Sequence, residues 1–457
     1  MLLGARFQPF VDAAPICVMA RGVAEHLLDP QRIDALFEST AIQQYTREWP
    51  FSLLVDLMSQ VVLDIQPSVH AAYRAMAKQL GVSDQAVYDK LQHVEPQVAA
   101  ELVRDSARQA QPVIQALCAK LPPLLPGFHA KILDGNHLAA TEHRIGELRT
   151  IKEAPLPGKL LVVLDPELKL GTEVFPCEDG HAQERALLDD VLAKVQERDL
   201  WIADRNFCTM KFLLEIAKRL GFFLIRQHGN LTGTLVGKRK HCGRCATGVV
   251  YEQKLKIVND EGEKLTVRRV TINLDQPTRD GDMELHLLSN VPQENADAVK
   301  LTEIYQKRWT IEVMFLEMTE TLSCEVKTLG YPKAALFAFC LALLAYNAVS
   351  VIKASLRSVH GLEKVEAEVS GYYLALEIEQ MYAGMMVAIP AQHWKKVWRN
   401  LSPQALAELL KELAKKADLA KYKKTPRGPK KKAPKREVYD NGSHVSTAKV
   451  LAGRGVT

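Results

Sequence analysis

A run of polar and aromatic residues in a predicted helix, LTEIYQKRWTIEVMFLEMTETL, carries the side chains best suited to chemistry. Tyr305, Arg308, Trp309 and Glu312 occupy positions i, i+3, i+4 and i+7 of this helix, so they lie on or near one face. A phenol, a guanidinium, an indole and a carboxylate on one face can hold a charged substrate. The alternative is an ordinary amphipathic helix, in which Arg308 and Glu312 form an ion pair worth about 0.2–0.5 kcal/mol.

Two aspartates at the ends of predicted strands add further carboxylates. Asp134 ends the apolar strand AKILD, and Asp204 ends the apolar strand DLWIAD. The carboxyl ends of strands in an α/β sheet meet at the edge where ligand sites form, although each aspartate alone is explained as a turn or cap residue. Together with Glu312 they supply the carboxylates that two bridged divalent cations require. Oxygen ligands of this kind favour Mg²⁺, with Mn²⁺ as a substitute.

Three blocks of the sequence resemble the DDE transposases of bacterial cut-and-paste insertion sequences. The blocks are LDGN at Asp134, ADRNF around Asp204, and YQKRWTIE, which ends at Glu312. They are similar to the branch that has a Tyr-x2-Arg-x3-Glu-x6-Lys signature and a ribonuclease-H-like core. The 108 residues from Asp204 to Glu312 leave room for the β-rich insertion of that branch. The resemblance covers residues 125–355 and implies DNA cleavage at element ends with strand transfer into target DNA.

The resemblance also implies a role for each matching residue. The three acids would be the catalytic metal ligands, Tyr305 and Arg308 would hold a DNA phosphate near the cleaved end, and Trp309 would support stacking or packing there. One position departs from the signature, because its lysine falls at Thr319. Either another cation such as Lys327 serves the phosphate, or the end-binding steps differ from the family pattern.

The segment YRAMAKQLGVSDQAVYDKL has the pattern of a helix-turn-helix. Ala77, Gly81 and Val87 follow the spacing Ala-x3-Gly-x5-Val, in which the small alanine allows close helix packing and the glycine permits the turn. Gln85 and Tyr88 would then lie on the helix that faces the DNA groove. A generic helical hairpin stays open as the alternative, because the second helix is not strongly basic.

A basic segment, GKRKHCGRC, is predicted to be a loop inside the insertion. A loop of this charge can follow DNA phosphates. The candidate phosphate contacts outside the signature are Arg205, Lys238, Arg239 and Lys240. Cys242 and Cys245 form a single CxxC beside a histidine, which is an incomplete zinc set, so free thiols in a turn are the preferred interpretation.

Composition and charge exclude several classes of protein. Of the 457 residues, 47% are hydrophobic and 25% are charged, which excludes a wholly disordered, collagen-like or disulfide-scaffold chain. Residues 411–436 contain twelve Lys or Arg and two acids, although the net charge of the whole chain is only +5. Such a concentration of charge favours a polyanion partner, most often nucleic acid. The resemblance implies that this partner is double-stranded DNA of the element ends and target. A solvated, disordered terminus is the other interpretation.

Eight cysteines without a disulfide framework, and no apolar leader in the first residues, predict a cytoplasmic protein. The resemblance implies a bacterial, nucleoid-associated location. Residues 334–352 are uncharged and long enough to span a bilayer. We interpret this run as a buried core helix, because it contains Asn347 and Ser350 and no second hydrophobic span accompanies it. A homodimer in the synaptic complex is implied by the resemblance.

The predicted fold class is α/β, a ribonuclease-H-like mixed sheet core interrupted by a β-rich insertion, with helical N- and C-terminal regions. The predicted division is a helical DNA-binding domain 1–122, core parts 126–227 and 298–360, the insertion 228–297, a helical region 361–420 and a basic disordered tail 421–457. From residue 300 through about residue 358 the chain is predicted to be helical again, with LTEIYQKRWTIEVMFLEMTETL as one helix and residues 334–352 in the next. LPPLLPGF marks the first boundary, since its prolines and glycine cannot continue a helix.

Two rival functions belong to other classes. A catalytically impaired DNA-binding regulator, derived from a transposase, is motivated by Thr319 at the signature lysine position. A metal-dependent phosphohydrolase acting on small molecules is permitted by the carboxylates alone. Tight, salt-sensitive binding to duplex DNA counts against the second rival, which has no need of a helix-turn-helix or a basic tail.

Overall fold

The computed structural model of the chain describes residues 3–44, 49–278, 281–425 and 443–453. A large mixed sheet lies among helices from both ends of the chain. The strands are β1 (His129–His137), β2 (Ala154–Leu156), β3 (Lys159–Asp165), β4 (Leu170–Cys177), β5 (Asp199–Ala203), β6 (Phe222–Arg226), β7 (Thr234–Cys245), β8 (Gly248–Val258), β9 (Lys264–Leu274), β10 (Glu284–Ser289) and β11 (His444–Ser446).

Helices make up most of the remaining described chain. Those before the sheet are α1 (Gln8–Ala13), α2 (Pro15–Leu27), α3 (Pro30–Thr40), α4 (Phe51–Val62), α5 (Val69–Leu80), α6 (Asp84–His93) and α7 (Pro96–Ala116). Those within or after it are α8 (Leu188–Leu192), α9 (Met210–Lys218), α10 (Ala298–Gln306), α11 (Trp309–Thr321), α12 (Pro332–His360), α13 (Leu362–Glu368), α14 (Gly371–Ala388), α15 (Ala391–Trp398), α16 (Pro403–Ala414) and α17 (Thr447–Leu451).

The strand order confirms the predicted fold class. The main sheet has nine strands in the order β4-β3-β1-β5-β6-β10-β9-β8-β7. In its first half β1 and β4 run antiparallel to β3, while β5 and β6 run parallel to β1. Three antiparallel strands followed by two parallel ones in this order form a ribonuclease-H-like sheet. The strands of the insertion then continue the same sheet, because β10 pairs with β6.

Alternating side chains of the central strands fill two separate cores, one on each face of the sheet. On one face Ile132 and Ile202 belong to the cluster that includes α4, α7 and α12. On the other face Leu133 and Trp201 pack with Phe212 and its neighbours on α9. Because both faces are covered, β3 is apolar along almost its whole length, KLLVVLD.

The uncharged run of residues 334–352 lies inside α12, and its interpretation as a core helix is confirmed. α12 is long and apolar enough to cross a membrane, but 89% of its most apolar window is buried inside the protein. Asn347 on this helix is fully buried and hydrogen bonded: its Oδ1 accepts from Gly171 N at 2.8 Å, and its Nδ2 donates to Ser106 Oγ at 2.9 Å. One polar side chain therefore joins α12, β4 and α7.

The first helices of the chain share a core with the last ones. One hydrophobic cluster joins α1, α2 and α7 to α12 and the helices that follow it. Trp394 and Trp398, which could have belonged to a basic nucleic-acid surface, are both fully buried in this cluster. Helix α2 passes the Trp398 ring at Gly22, where an added Cβ would overlap the indole carbons.

This close contact gives a paired prediction about stability. We expect Gly22→Ala to lower the free energy of unfolding by about 1–3 kcal/mol, because the added methyl overpacks a buried contact. Gly384→Ala, in the exposed part of α14 where a Cβ would meet nothing within 4 Å, should instead raise it by about 0.5–1 kcal/mol. Urea denaturation of both variants checks the pair. Equal effects of the two substitutions would contradict the packing of α2 on Trp398.

Two predictions about local structure are wrong. GKRKHCGRC is not a loop but most of β7, the edge strand of the sheet, whose pairing with β8 is shifted between Val236 and Lys240 and again between His241 and Gly243. The second wrong prediction is that residues 421–457 are disordered throughout. Within them β11 pairs in parallel with β2, and α17 follows it. Residues 426–442, which hold much of the tail's basic charge, lie outside the described residues.

Candidate active site

Neighbouring strands place Asp134 and Asp204 at the same edge of the sheet. β1 and β5 are parallel, and Leu133 is directly opposite Ala203, so the two aspartates follow at equivalent positions. Asp134 does not end its strand as predicted, because β1 continues to His137 along β3. Asp204 follows the last residue of β5 and begins a short turn of helix, Arg205–Phe207.

The helix that carries Glu312 is broken, so the prediction of one continuous helix is wrong. α10 ends at Gln306 and α11 begins at Trp309. Between them the backbone forms tight i to i−3 hydrogen bonds, from Arg308 N to Tyr305 O at 3.0 Å and from Thr310 N to Lys307 O at 2.9 Å. Arg308 therefore lies at the junction, where its side chain reaches the strand edge as well as its own helix.

Arg308 bridges two of the predicted carboxylates. Its Nη1 donates to Asp134 Oδ2 at 3.0 Å, and its Nη2 donates to Glu312 Oε1 at 2.6 Å. Tyr305, one turn earlier, is buried and within hydrogen-bonding reach of Arg308, and it also feels the charge of Asp204. The structure thus connects Asp134, Glu312, Tyr305 and Arg308 directly, with Asp204 beside the tyrosine.

Burial and like charges perturb the ionisation of this cluster. The pKa of Asp134 is raised to about 6: desolvation is the main cause and the charges of Glu312 and Glu184 act in the same direction, while Arg308 and the Gly135 N–H act against them. Desolvation also raises the pKa of Tyr305, and the negative charge of Asp204 acts in the same direction. The site therefore concentrates negative charge in a partly buried place where Arg308 is the nearest counter-charge.

The donor set fits a hard divalent cation in chemistry, while the present side-chain arrangement does not close around one. Asp134, Asp204 and Glu312 offer only carboxylate oxygens, which Mg²⁺ and Mn²⁺ prefer. In the described part of the chain, no three His, Cys, Asp or Glu side chains are close enough together to hold a metal ion. The Arg308 guanidinium takes the position between Asp134 and Glu312, so a cation bound by both requires that side chain to turn away.

Two charged residues near the site were not predicted from the sequence. Glu184 raises the pKa of Asp134, and its carboxylate fills the space where a Cβ on Gly135 would lie. Arg226, at the end of β6, acts on Tyr305 and forms an ion pair with Asp282 at 3.0 Å. Glu184 begins a short 3-10 helix, Glu184–Leu187, and has no sequence signature. Arg226 had one usable signal, its position at the end of a strand parallel to β5.

The residues predicted to contact DNA lie in three places. Trp309 is 60% exposed on α11, and Arg205 is exposed in the turn after Asp204. The basic residues of β7 are exposed along the sheet edge, where Arg239 stacks over the Tyr251 ring at 4.2 Å and also pairs with Glu284. The three predicted phosphate contacts on β7, Lys238, Arg239 and Lys240, are all exposed.

The two predicted helices and the turn between them are present, as both a helix-turn-helix and a generic hairpin require, and the second helix faces partly inward. α5 ends at Gly81, which has a left-handed φ of 67°, and α6 begins after the Ser83 N-cap. Gln85 is exposed and bonded to Asp89. Tyr88 is half-buried and lines a cavity together with Arg144, which follows β1, and with residues at the start of α12.

The Thr319 and Lys327 side chains border one cavity of about 480 Å³ between α11 and α14. Thr319 Oγ1 donates back to Phe315 O on its own helix at 2.9 Å, and Lys327 is exposed. Cys242 and Cys245 are free thiols on β7. Among the described residues they belong to no group of three potential metal ligands.

A comparison with protein families matches residues 132–348 to the family described as "Transposase DDE domain". This segment includes Asp134, Asp204 and Glu312, together with β7 and the rest of the insertion. The match supports a DDE transposase, a class of enzyme that acts in DNA transposition and recombination by cleaving DNA and transferring strands. Enzymes of this class generally depend on divalent metal ions.

The other two comparisons add little to the family match. The curated proteins include no significant sequence match to this chain. Among solved structures, the chain is similar to one described as the cryo-EM structure of a piggyBac transposase synaptic complex with hairpin DNA, at 10% identity and a TM-score of 0.41, with 84% of each chain covered. A likeness this distant defines neither fold nor function, and the fold assignment rests on the strand order.

Proposed function

We propose that this protein is a DNA transposase that cleaves the ends of an insertion sequence and transfers them into target DNA by a cut-and-paste route. The observation that carries the proposal is the cluster of Asp134, Glu312 and Arg308 beside Asp204, at the strand edge of a ribonuclease-H-like sheet. The whole cluster lies inside the segment that matches transposase DDE domains.

In the proposed mechanism Asp134, Asp204 and Glu312 hold Mg²⁺, with Mn²⁺ as a substitute. Two such ions supply activation of water or a 3′-hydroxyl and stabilisation of the leaving oxygen. The role of the three carboxylates is to fix where the ions would bind. Their own positions are fixed because β1, β5 and α11 are packed in the core. Burial strengthens the interaction between Arg308 and Asp134, whose side chains are 10% and 19% exposed, because few water molecules screen these charges.

Arg308 serves as the phosphate clamp of the proposed mechanism. Its planar guanidinium binds carboxylates in this structure, and the same fork suits a DNA phosphate. We infer that, with a divalent ion held by Asp134 and Glu312, the Arg308 guanidinium would leave these two carboxylates and bind a DNA phosphate instead. Tyr305 supports this movement from one turn away, and the exposed Trp309 ring is available to pack on the DNA.

DNA recognition is assigned to the helix-turn-helix and to basic surfaces. Gln85 is exposed on α6, and the β7 cations form an edge that can follow phosphates. Two copies of the chain are proposed to hold the two element ends together in a homodimeric synaptic complex. A bacterial, nucleoid-associated location follows from the same proposal.

Divalent-metal dependence tests the proposal directly. We expect the protein to nick or cut duplex DNA that carries the gene's own flanking sequences when Mg²⁺ or Mn²⁺ is present, and to leave it intact in EDTA. Ca²⁺, which accepts the same oxygen ligands with looser geometry, should support binding with little cleavage. Cleavage that proceeds equally in EDTA would exclude the carboxylate mechanism.

A catalytically impaired DNA-binding regulator is the second candidate, and Thr319 favours it. Our proposal is instead that Lys327, on the same cavity as Thr319, supplies the missing cation. We expect Lys327→Gln to lower the cleavage rate about tenfold, which is the loss of about 1.4 kcal/mol of transition-state stabilisation. Adding Thr319→Lys to that variant should restore most of the rate.

Thr319→Lys alone, compared with wild type, distinguishes the two candidates. Wild-type protein that binds flanking DNA without cutting it, and that gains cleavage from Thr319→Lys alone, would establish the regulator. The control is Lys333→Gln, which removes an equal charge near the start of α12 and should leave the cleavage rate unchanged.

A further inference from the structure

A cavity of about 470 Å³ lies between α11, α12 and the start of α14, away from the carboxylate cluster. Thr310, Val313 and Glu317 line it from α11, the helix that also carries Glu312. Helix α12 contributes one face of four polar residues, spaced at i, i+4, i+7 and i+11. These residues are Tyr346, Ser350, Lys353 and Arg357.

The cavity contains an excess of buried positive charge. Lys353 forms an ion pair with Glu317, and Arg357 Nη1 pairs with Glu366 Oε1 at 2.8 Å. Lys169 is close enough to feel all four of these charges. Its ammonium group has no ion pair or hydrogen bond within the described chain. Three cations therefore share two acids, because the other carboxylate of the lining, Glu320, is exposed.

Two further features indicate that an anion is the missing partner. The Arg357 side chain is 1% exposed, and its Nη2 is a buried donor with no acceptor among the described residues. A buried donor of this kind costs about 1–3 kcal/mol when it stays unpaired. Burial lowers the pKa of Lys169, and Lys353 and Arg357 lower it further, although Glu366 and Glu317 oppose them.

The position of Lys169 is fixed by the fold rather than by chance. It is the last residue of the turn between β3 and β4, and it has a left-handed φ of 58°. Ser350 Oγ donates to its carbonyl oxygen at 2.7 Å, and Asn347 on the same helix holds Gly171 two residues later. The backbone that presents this lysine to the cavity is therefore anchored to α12 at two points, Lys169 O and Gly171.

The surroundings of the cavity favour DNA as the source of the anion. Three apolar side chains form an exposed stripe on α11 that runs from the catalytic face toward the cavity: Trp309 at 60%, Val313 at 59% and Leu316 at 41% exposure. A free phosphate ion would leave this stripe in water. A DNA strand would cover the stripe with its sugars and bases while one of its phosphates entered the cavity.

We propose that the cavity between α11 and α12 binds a backbone phosphate of the DNA substrate, with Lys169 and Arg357 as the donors. This inference rests on the proposed action on DNA. It adds a second phosphate contact to the one assigned to Arg308. A strand held at both places is fixed along α11, so the scissile phosphate cannot slide relative to Glu312.

The test compares Lys169→Met with Lys218→Met in the full-length chain. Lys218 is a lysine on α9 that pairs with Glu215 and Glu263, so its loss changes the net charge equally. The first probe is inorganic phosphate, read as the increase in thermal midpoint. We expect Lys218→Met and the conservative Lys169→Arg to keep the wild-type increase, and Lys169→Met to lose most of it.

The second probe is a short duplex without divalent ions, bound at several salt concentrations. We expect Lys169→Met, unlike Lys218→Met, to weaken binding and to reduce the slope of log K against log salt by about one. If Lys169→Met does not fold, Lys169→Gln removes the same charge at the same position and gives the same comparison.

Each outcome decides the inference. Identical phosphate responses of Lys169→Met and Lys218→Met would overturn the anion site. A Lys169-dependent phosphate response with unchanged DNA slopes would overturn DNA as the source of the anion. Failure of the proposed function looks different, since wild-type protein would then neither bind duplex DNA with salt sensitivity nor cleave it, whatever the phosphate response.

Discussion

Asp204→Asn should reduce DNA cleavage in Mg²⁺ by on the order of 10³-fold or more. The substitution keeps the shape of the side chain at the end of β5 but removes the charge that, in our proposal, holds a divalent ion. Asp204 has no hydrogen bond to a buried partner that the amide would break, within the described chain, and it is only half-buried. DNA binding without divalent ions should therefore stay within about threefold of wild type.

A matched control comes from another aspartate at a strand end. Asp165 ends β3, and its Oδ1 accepts from the backbone nitrogens of Glu167 at 2.9 Å and Leu168 at 3.0 Å. An asparagine there keeps an oxygen for this turn, so Asp165→Asn should cleave DNA within about twofold of wild type. Equal losses in the two variants would mean that Asp204 acts through the fold, and would remove it from the proposed metal ligands.

Arg308→Met should have the second largest effect, on stability as well as on cleavage. Without the guanidinium, Asp134 and Glu312 face each other with no counter-charge. Breaking a buried pair costs about 3–5 kcal/mol, but Glu312 is 36% exposed, so screening reduces the loss in free energy of unfolding to about 1–3 kcal/mol. Cleavage should fall at least about 100-fold, because the phosphate clamp is gone.

Magnesium should partly rescue the stability of Arg308→Met. The substitution clears the space between the two carboxylates, so Mg²⁺ should raise the free energy of unfolding of the variant more than that of wild type. Urea denaturation with and without Mg²⁺ measures this difference. Arg308→Lys, which retains the charge, should behave like wild type in the absence of Mg²⁺. An equal Mg²⁺ response in wild type and Arg308→Met would contradict the idea that Arg308 and the cation compete.

The sequence predicted the central sheet well because both of its faces are buried. Apolar runs such as KLLVVLD mark strands covered on two sides, and Asp134 and Asp204 follow from the positions where such runs stop or turn polar. The long uncharged helix was also predicted, since Asn347 signalled a core that can satisfy a buried amide. In these places local pattern and tertiary burial agree.

Predictions failed where the local pattern does not record the decisive interaction. β7 is exposed over most of its length, so it lacks the apolar alternation that marks a strand, and pairing with β8 alone defines it. The break between α10 and α11 involves no proline or glycine, and it is set by the contacts of Arg308 with Asp134 across the chain. β11 forms because β2 offers a free edge, which nothing in the tail sequence records.

In the candidate site, too, the sequence indicates the residue types but not the contacts between distant parts of the chain. The residue types and spacing identified the three acids and Arg308, but the bridge from Arg308 to Asp134 joins residues 174 apart in the chain and has no sequence signal. Glu184 approaches Asp134 only because Gly135 has no side chain. Such contacts depend on how separate elements pack, and they decide the electrostatics of the site.

The most direct test of the transposase proposal is to map every new 3′ end produced on the gene's own flanking DNA in Mg²⁺. Wild type and Glu312→Gln are compared at equal concentration. We predict discrete breaks at a pair of inverted repeats with wild type, and none with Glu312→Gln. The same breaks from Glu312→Gln, or scattered breaks without repeats, would contradict the assignment of this carboxylate cluster as the active centre of a DNA transposase.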